Sequence, residues 1–122
     1  MILEDFQRRV AQRLAVLPVS GTLDANDADV IQGAYENLLA ELGEHNLAWW
    51  NADEAVPDIY ADCLIGMTAA MIVDDFTIPE PRRSQLIVQC AFGLPNVSMN
   101  ERRLRSLTRA GPSTDSVERE YF

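Results

Sequence analysis

Pro57-Asp58-Ile59-Tyr60-Ala61-Asp62-Cys63-Leu64-Ile65-Gly66-Met67-Thr68-Ala69-Ala70-Met71-Ile72-Val73-Asp74-Asp75-Phe76 is the stretch on which the reading of the fold turns. Ile59, Tyr60, Cys63, Leu64, Met67, Ala70 and Met71 cover much of the circumference of a helix, which predicts a central element buried on most sides. Ala61, Gly66, Ala69 and Ala70 are small enough to let neighbouring helices approach closely. Asp53 or Glu54 with Pro57 looks like a helix start, since proline is tolerated in a first turn, and the helix is predicted over 57–76. The nearly apolar run Cys63 to Val73 is too short for a membrane span, which needs roughly 20 residues. No membrane partner is expected.

Outward from this centre, amphipathic helices are predicted on both sides. In residues 2–16, Ile2, Phe6, Val10 and Leu14 recur every four positions with Leu3 beside them, while Glu4, Arg8, Arg9 and Arg13 lie off the stripe. Pro18 ends that helix, and Val19-Ser20-Gly21 forms a turn. A second helix starts near Asp24 to Asp27, where acids suit the unpaired amides and the dipole. Its stripe is Val30/Ile31, Ala34, Leu38 and Leu42, with Tyr35 and Leu39 alongside, and it ends around Gly43 to Asn46. The link 47–56 carries Trp49-Trp50; adjacent indoles cannot share one groove, so one is expected on the core and the other at a surface or subunit contact. Beyond the centre, Thr77-Ile78-Pro79-Glu80-Pro81 makes a rigid corner. A fourth helix follows over about 80–92, with Leu86, Ile87, Cys90 and Ala91 apolar, and Gly93-Leu94-Pro95-Asn96 ends it. A fifth spans about 99–110. The expected architecture is all-α: a compact bundle of four to five helices over 1–110 with an extended C-terminal arm over 111–122.

At 122 residues and 48% hydrophobic content the chain suits one domain with a modest core. No basic segment precedes an apolar stretch at the N-terminus, so no signal peptide is expected. Cys63 and Cys90 both sit in apolar context, which predicts core filling and no bridged scaffold. The net charge of −9 argues against a free chain that coats nucleic acid. Its distribution says more. Residues 21–81 hold thirteen acids and no Arg or Lys, whereas residues 82–110 hold six Arg and one acid, a net +5. One subunit could carry both fields, or the acidic block of one subunit could meet the basic block of the next. Every basic residue is Arg, which fits interfacial ion pairs and equally fits a GC-rich genome.

Chemistry-bearing constellations are missing from the pattern. His45 is the single histidine and is expected at an exposed helix end; with Cys63 and Cys90 it offers no close-spaced zinc pair. Asp74 and Asp75 are sequence neighbours on a predicted helix end, where they point apart and oppose the dipole. That spacing is poor for acid/base work, and the clash with the negative helix end suggests a positive partner from outside. No phosphate loop, nucleophile elbow or zinc-protease helix is present. No catalysis, metal or cofactor is expected. Arg82 and Arg83 open the fourth helix against its dipole, and Arg102, Arg103, Arg105 and Arg109 cover the outer face of the fifth. They are read three ways: as solvated surface, as inter-subunit partners of the acidic block, or as phosphate contacts. After the polar Gly111-Pro112-Ser113-Thr114-Asp115-Ser116, residues Val117, Arg119, Tyr121 and Phe122 either fold back on their own helices or dock on a partner as an aromatic anchor.

Four stretches in this order resemble the head-to-tail adaptor (neck or connector) proteins of tailed bacteriophages. They are the opening helix ending Leu14-Ala15-Val16-Leu17; the helix Tyr35-Glu36-Asn37-Leu38-Leu39-Ala40-Glu41-Leu42 leading into Trp49-Trp50; Val56-Pro57 with the Ala-rich helix closing on Met71-Ile72-Val73-Asp74-Asp75-Phe76; and Leu104-Arg105-Ser106-Leu107 with a tail ending Glu120-Tyr121-Phe122. They span most of the chain, and it is their ordered combination that is specific. The resemblance implies a structural virion protein in a ring of about twelve subunits below a portal protein, extending a channel through which duplex DNA passes without specific recognition. It implies that the arm from Gly111 to Phe122 meets the portal, and that the lower surface receives a downstream tail or neck protein. Assembly would take place in the host cytoplasm and the protein would reside at the head-tail junction. The chain departs from the short-tailed phage members in its short loops and much shorter tail. The alternative expectation is a small regulatory protein that binds nucleic acid through the Arg-rich fifth helix.

Overall fold

The computed structural model describes residues 1–15 and 22–110, with Arg109 and Ala110 described in their backbone alone. The turn expected at 18–21 and the arm expected at 111–122, with Val117, Arg119, Tyr121 and Phe122, lie outside the described residues. Five helices follow one another: α1 (Leu3–Arg13), α2 (Ala25–Glu44), α3 (Asp58–Met71), α4 (Arg82–Cys90) and α5 (Met99–Ala110). They form an all-α, compact bundle, with no strand among the described residues. Helix α3 packs on all four others, α1 packs on α2, and α4 packs on α5. From Tyr60 to Ala70 every α3 residue except Asp62 is buried. The reason is visible at Gly66. A Cβ there would collide with the Asn100 side-chain amide and lie 3.0 Å from Cys90 Sγ and 3.3 Å from an Arg13 guanidinium nitrogen. Three helices therefore converge on one bare backbone position.

Capping explains where the elements start and stop. Asp24 accepts the Asn26 N–H at 3.1 Å and opens α2. At the other end Asn46 takes a left-handed φ of 60°, so that Leu47 N–H reaches Leu42 O at 2.8 Å and Asn46 N–H reaches Gly43 O at 3.1 Å. This paired closure satisfies two orphan carbonyls, and buried Leu47 packs beneath it. Ser98 opens α5 by accepting the Glu101 N–H at 3.1 Å.

Helix α3 is shorter than expected, ending at Met71 and not at Phe76. Residues 72–77 instead form a turn, closed by left-handed Thr77 and by Ile78 N–H on Val73 O at 3.0 Å. Two acids at a helix C-terminus oppose its dipole and gain by leaving it. Asp74 and Asp75 thus stand on an exposed turn beyond the helix. The predicted apolar stripes were also too wide. Ile2, Val30, Ile59 and Met71 are exposed, while Phe6, Val10, Leu14, Ile31, Tyr60 and Met67 fill the core. Val30, Ile59 and Met71 each lie one position from a buried residue, and successive helical positions are turned away by about 100°, while Ile2 precedes the first turn of α1. Helix α4 is trimmed to nine residues, with Leu86 and Cys90 buried and Ile87 and Ala91 half-buried.

Candidate functional site

Two ion pairs, Arg103–Asp62 and Arg83–Asp74, join the acidic and basic segments within one subunit. Asp62, the one exposed residue in the buried span of α3, receives Arg13 of α1 at 3.4 Å and Arg103 of α5 at 2.9 Å. Arg83 pairs with Asp74 at 2.8 Å, so the cation that meets Asp74 comes from the same chain. Hydrogen bonding and charge from Arg83 hold the Asp74 carboxyl below its ordinary range, and the same pair raises Arg83. Glu80 is lowered in turn by accepting the Ser84 hydroxyl at 2.6 Å and the Ser84 N–H at 2.8 Å. Arg82 donates to the carbonyl of Arg13, at the end of α1, from Nε at 3.1 Å and again from its terminal nitrogen. A cation suits that negative helix end. Arg105 pairs with Glu101 at 3.0 Å and stands 5.7 Å over the Phe92 ring. Glu101 is buried, and its second oxygen accepts the Gly93 N–H at 2.8 Å, tying the α4–α5 loop to α5.

Besides the exposed Ile2, Val30, Ile59 and Met71, two surfaces carry large apolar groups in solvent. The first is built on the link after α2. Trp50 is buried and donates its indole N–H to the Tyr35 hydroxyl at 2.8 Å. Burial raises the Tyr35 pKa, partly offset by that bond. Trp49 is 59% exposed, with its ring held edge-on to Trp50 at 5.0 Å and to Tyr60 at 5.2 Å. Asp53 and Glu54 follow it on the same exposed link. The second surface is a groove of about 290 Å³ where α4 meets α5, lined by Val88, Val97, Met99 and Arg102 among others. Val88 is 65% and Met99 73% exposed. Two further clefts, of about 200 and 120 Å³, are smaller than ordinary ligand pockets of roughly 300–1,000 Å³.

Of the residues singled out in the sequence, Trp49 and Trp50 divide as expected between surface and core. Arg83 and Asp74 come together, Arg103 and Arg105 are engaged on their own subunit, and Asp75 stays exposed without an ion pair among the described residues. Arg102 is exposed and also makes no ion pair among them, and the Arg109 side chain lies outside the description. Sequence reasoning missed the groove and the role of Glu101. Ser98-Met99-Asn100-Glu101 is a helix-start signature that marks where α5 begins. Leu86-Ile87-Val88 is three apolar residues in a row, so one of them had to face away from the core.

Cys63 and Cys90 are free and buried, and burial pushes both thiols up. His45 ends α2, exposed, with its ring 5.3 Å from that of Phe92. Among the described residues no three His, Cys, Asp or Glu side chains gather as metal ligands, and no helix is long and apolar enough to cross a membrane. Comparison with protein-family models, with curated proteins and with solved structures gave no match.

Proposed function

We propose that this chain is a structural, non-catalytic subunit of a head-to-tail adaptor ring, seated below a phage portal and extending the DNA channel toward a downstream tail or neck protein. The observation that carries the reading is the groove where three exposed apolar residues, Val88, Val97 and Met99, gather, with exposed Trp49 on the link after α2 as a second apolar contact. A gathered apolar patch, unlike an apolar residue exposed singly, marks a contact site. The ordered resemblance of the four sequence stretches adds the class of assembly. Two of the four Arg on α5 are spent on their own subunit, Arg103 on Asp62 and Arg105 on Glu101, which favours this reading over one in which α5 grips DNA.

Co-sedimentation with the portal ring of the same virus tests it. The chain is expected to travel with the portal, and Tyr121→Ala with Phe122→Ala to release it by removing the anchor of the arm. A chain that stays behind with its aromatics intact contradicts the reading. A duplex titration at low salt tests the nucleic-acid alternative, which requires tight binding that falls steeply as salt rises.

A further inference from the structure

We propose that Trp49 of one copy of the chain seats in the α4–α5 groove of a second copy, giving a head-to-tail contact. This rests on the assembly reading for its setting, and the contact itself follows from the chemistry of the two surfaces. The groove is apolar at Val88, Val97 and Met99 and carries Arg102 in its lining. Arg102 has no ion pair among the described residues. Its complement is a rigid, flat apolar group with acids close by. Trp49 is such a group. Edge contacts with Trp50 and Tyr60 fix the indole before any partner arrives, so little side-chain freedom is lost on docking. Asp53 and Glu54, exposed on the same link, supply the carboxylates for Arg102. Met99 has an unbranched thioether that adapts to a ring edge.

Charge also selects the mode of pairing. Groove against groove would face Arg102 with its own copy, and Trp49 against Trp49 would bring the two acidic links together. Both two-fold arrangements set like charges face to face, whereas the head-to-tail arrangement sets opposite charges together. Each added copy then keeps one free indole and one free groove, so association continues until it closes into a ring or extends as a filament.

Sedimentation equilibrium of the full chain, without any portal, tests the contact. The average mass is expected to rise with protein concentration and to fall with added salt. Trp49→Ala and Met99→Glu, both at exposed positions, are each expected to weaken association about tenfold or more, as loss of an anchor does. Mixed in equal amounts, the two variants retain one intact indole and one intact groove, and they should recover pairs and nothing larger. A wild-type chain that stays monomeric at every concentration overturns the proposal, as do variants that associate like wild type or a mixture that recovers nothing. Tyr121→Ala with Phe122→Ala should leave association unchanged; its loss would assign the groove to the C-terminal arm and overturn the contact. Self-association without portal binding would instead end the adaptor reading and leave this contact standing.

Discussion

At Glu101 a carboxylate only 4% exposed accepts a backbone N–H from Gly93 and the guanidinium of Arg105. Bonds to a buried charge are worth more than neutral ones, so Glu101→Gln is expected to lower stability by about 1–3 kcal/mol in urea unfolding. An unchanged midpoint would mean that packing alone holds the α4–α5 loop. Asp74 behaves differently because it is exposed. Its folded pKa lies below the ordinary carboxylate value, so the pair with Arg83 contributes stability that is full above about pH 4 and is lost as pH falls through the lowered pKa. Asp74→Asn should therefore flatten the acid limb of a stability-against-pH curve and leave its slope near neutrality unchanged. An acid limb identical to wild type would remove Asp74 as a contributor.

Among the elements, α3 tests the packing account. Gly66→Ala places a methyl against the side chains of Asn100 and Cys90, and relief requires Asn100 to swing aside, with loss of its hydrogen bond to Cys63 O, or the helices to part. It should destabilise by about 1–3 kcal/mol, the range for overpacking, even though alanine is the better helix former. A stabilised variant in thermal or urea unfolding would show that the three helices do not meet as described. The helices themselves were legible in the sequence, because spacing such as Phe6, Val10, Leu14 and turn signals such as Gly93-Leu94-Pro95 are local. The central place of α3 was legible for the same reason. Less of the detail was. A helix apolar all round has no preferred face in its sequence, so nothing marked Ile59 and Met71 as the outward members. The division between Trp49 and Trp50 needed the Tyr35 hydroxyl, fifteen residues before Trp50, to choose which indole goes in. The ion pairs of Asp62 depend on where α1 and α5 cross α3, which no local pattern encodes.

For the whole molecule, the sorted charge has a dual meaning. Arg13, Arg83 and Arg103 tie α1, the start of α4 and α5 to acids of α3 and the turn after it, so part of the segregation is structural within one subunit. What is left over is acidic on the outer face of α2 and the Trp49 link, and basic at Arg8 and Arg9 of α1 and at Arg102. Such a remainder leaves patches of unlike charge on one subunit, which suits a piece that joins unlike neighbours. That junction is the central claim, and electron cryomicroscopy of the full chain mixed with the portal of the same virus tests it most directly. The expected result is a ring of subunits below the portal, with residues 111–122 lying against the portal protein. A portal map without added density, or residues 111–122 packed on their own subunit in the assembled ring, would contradict it.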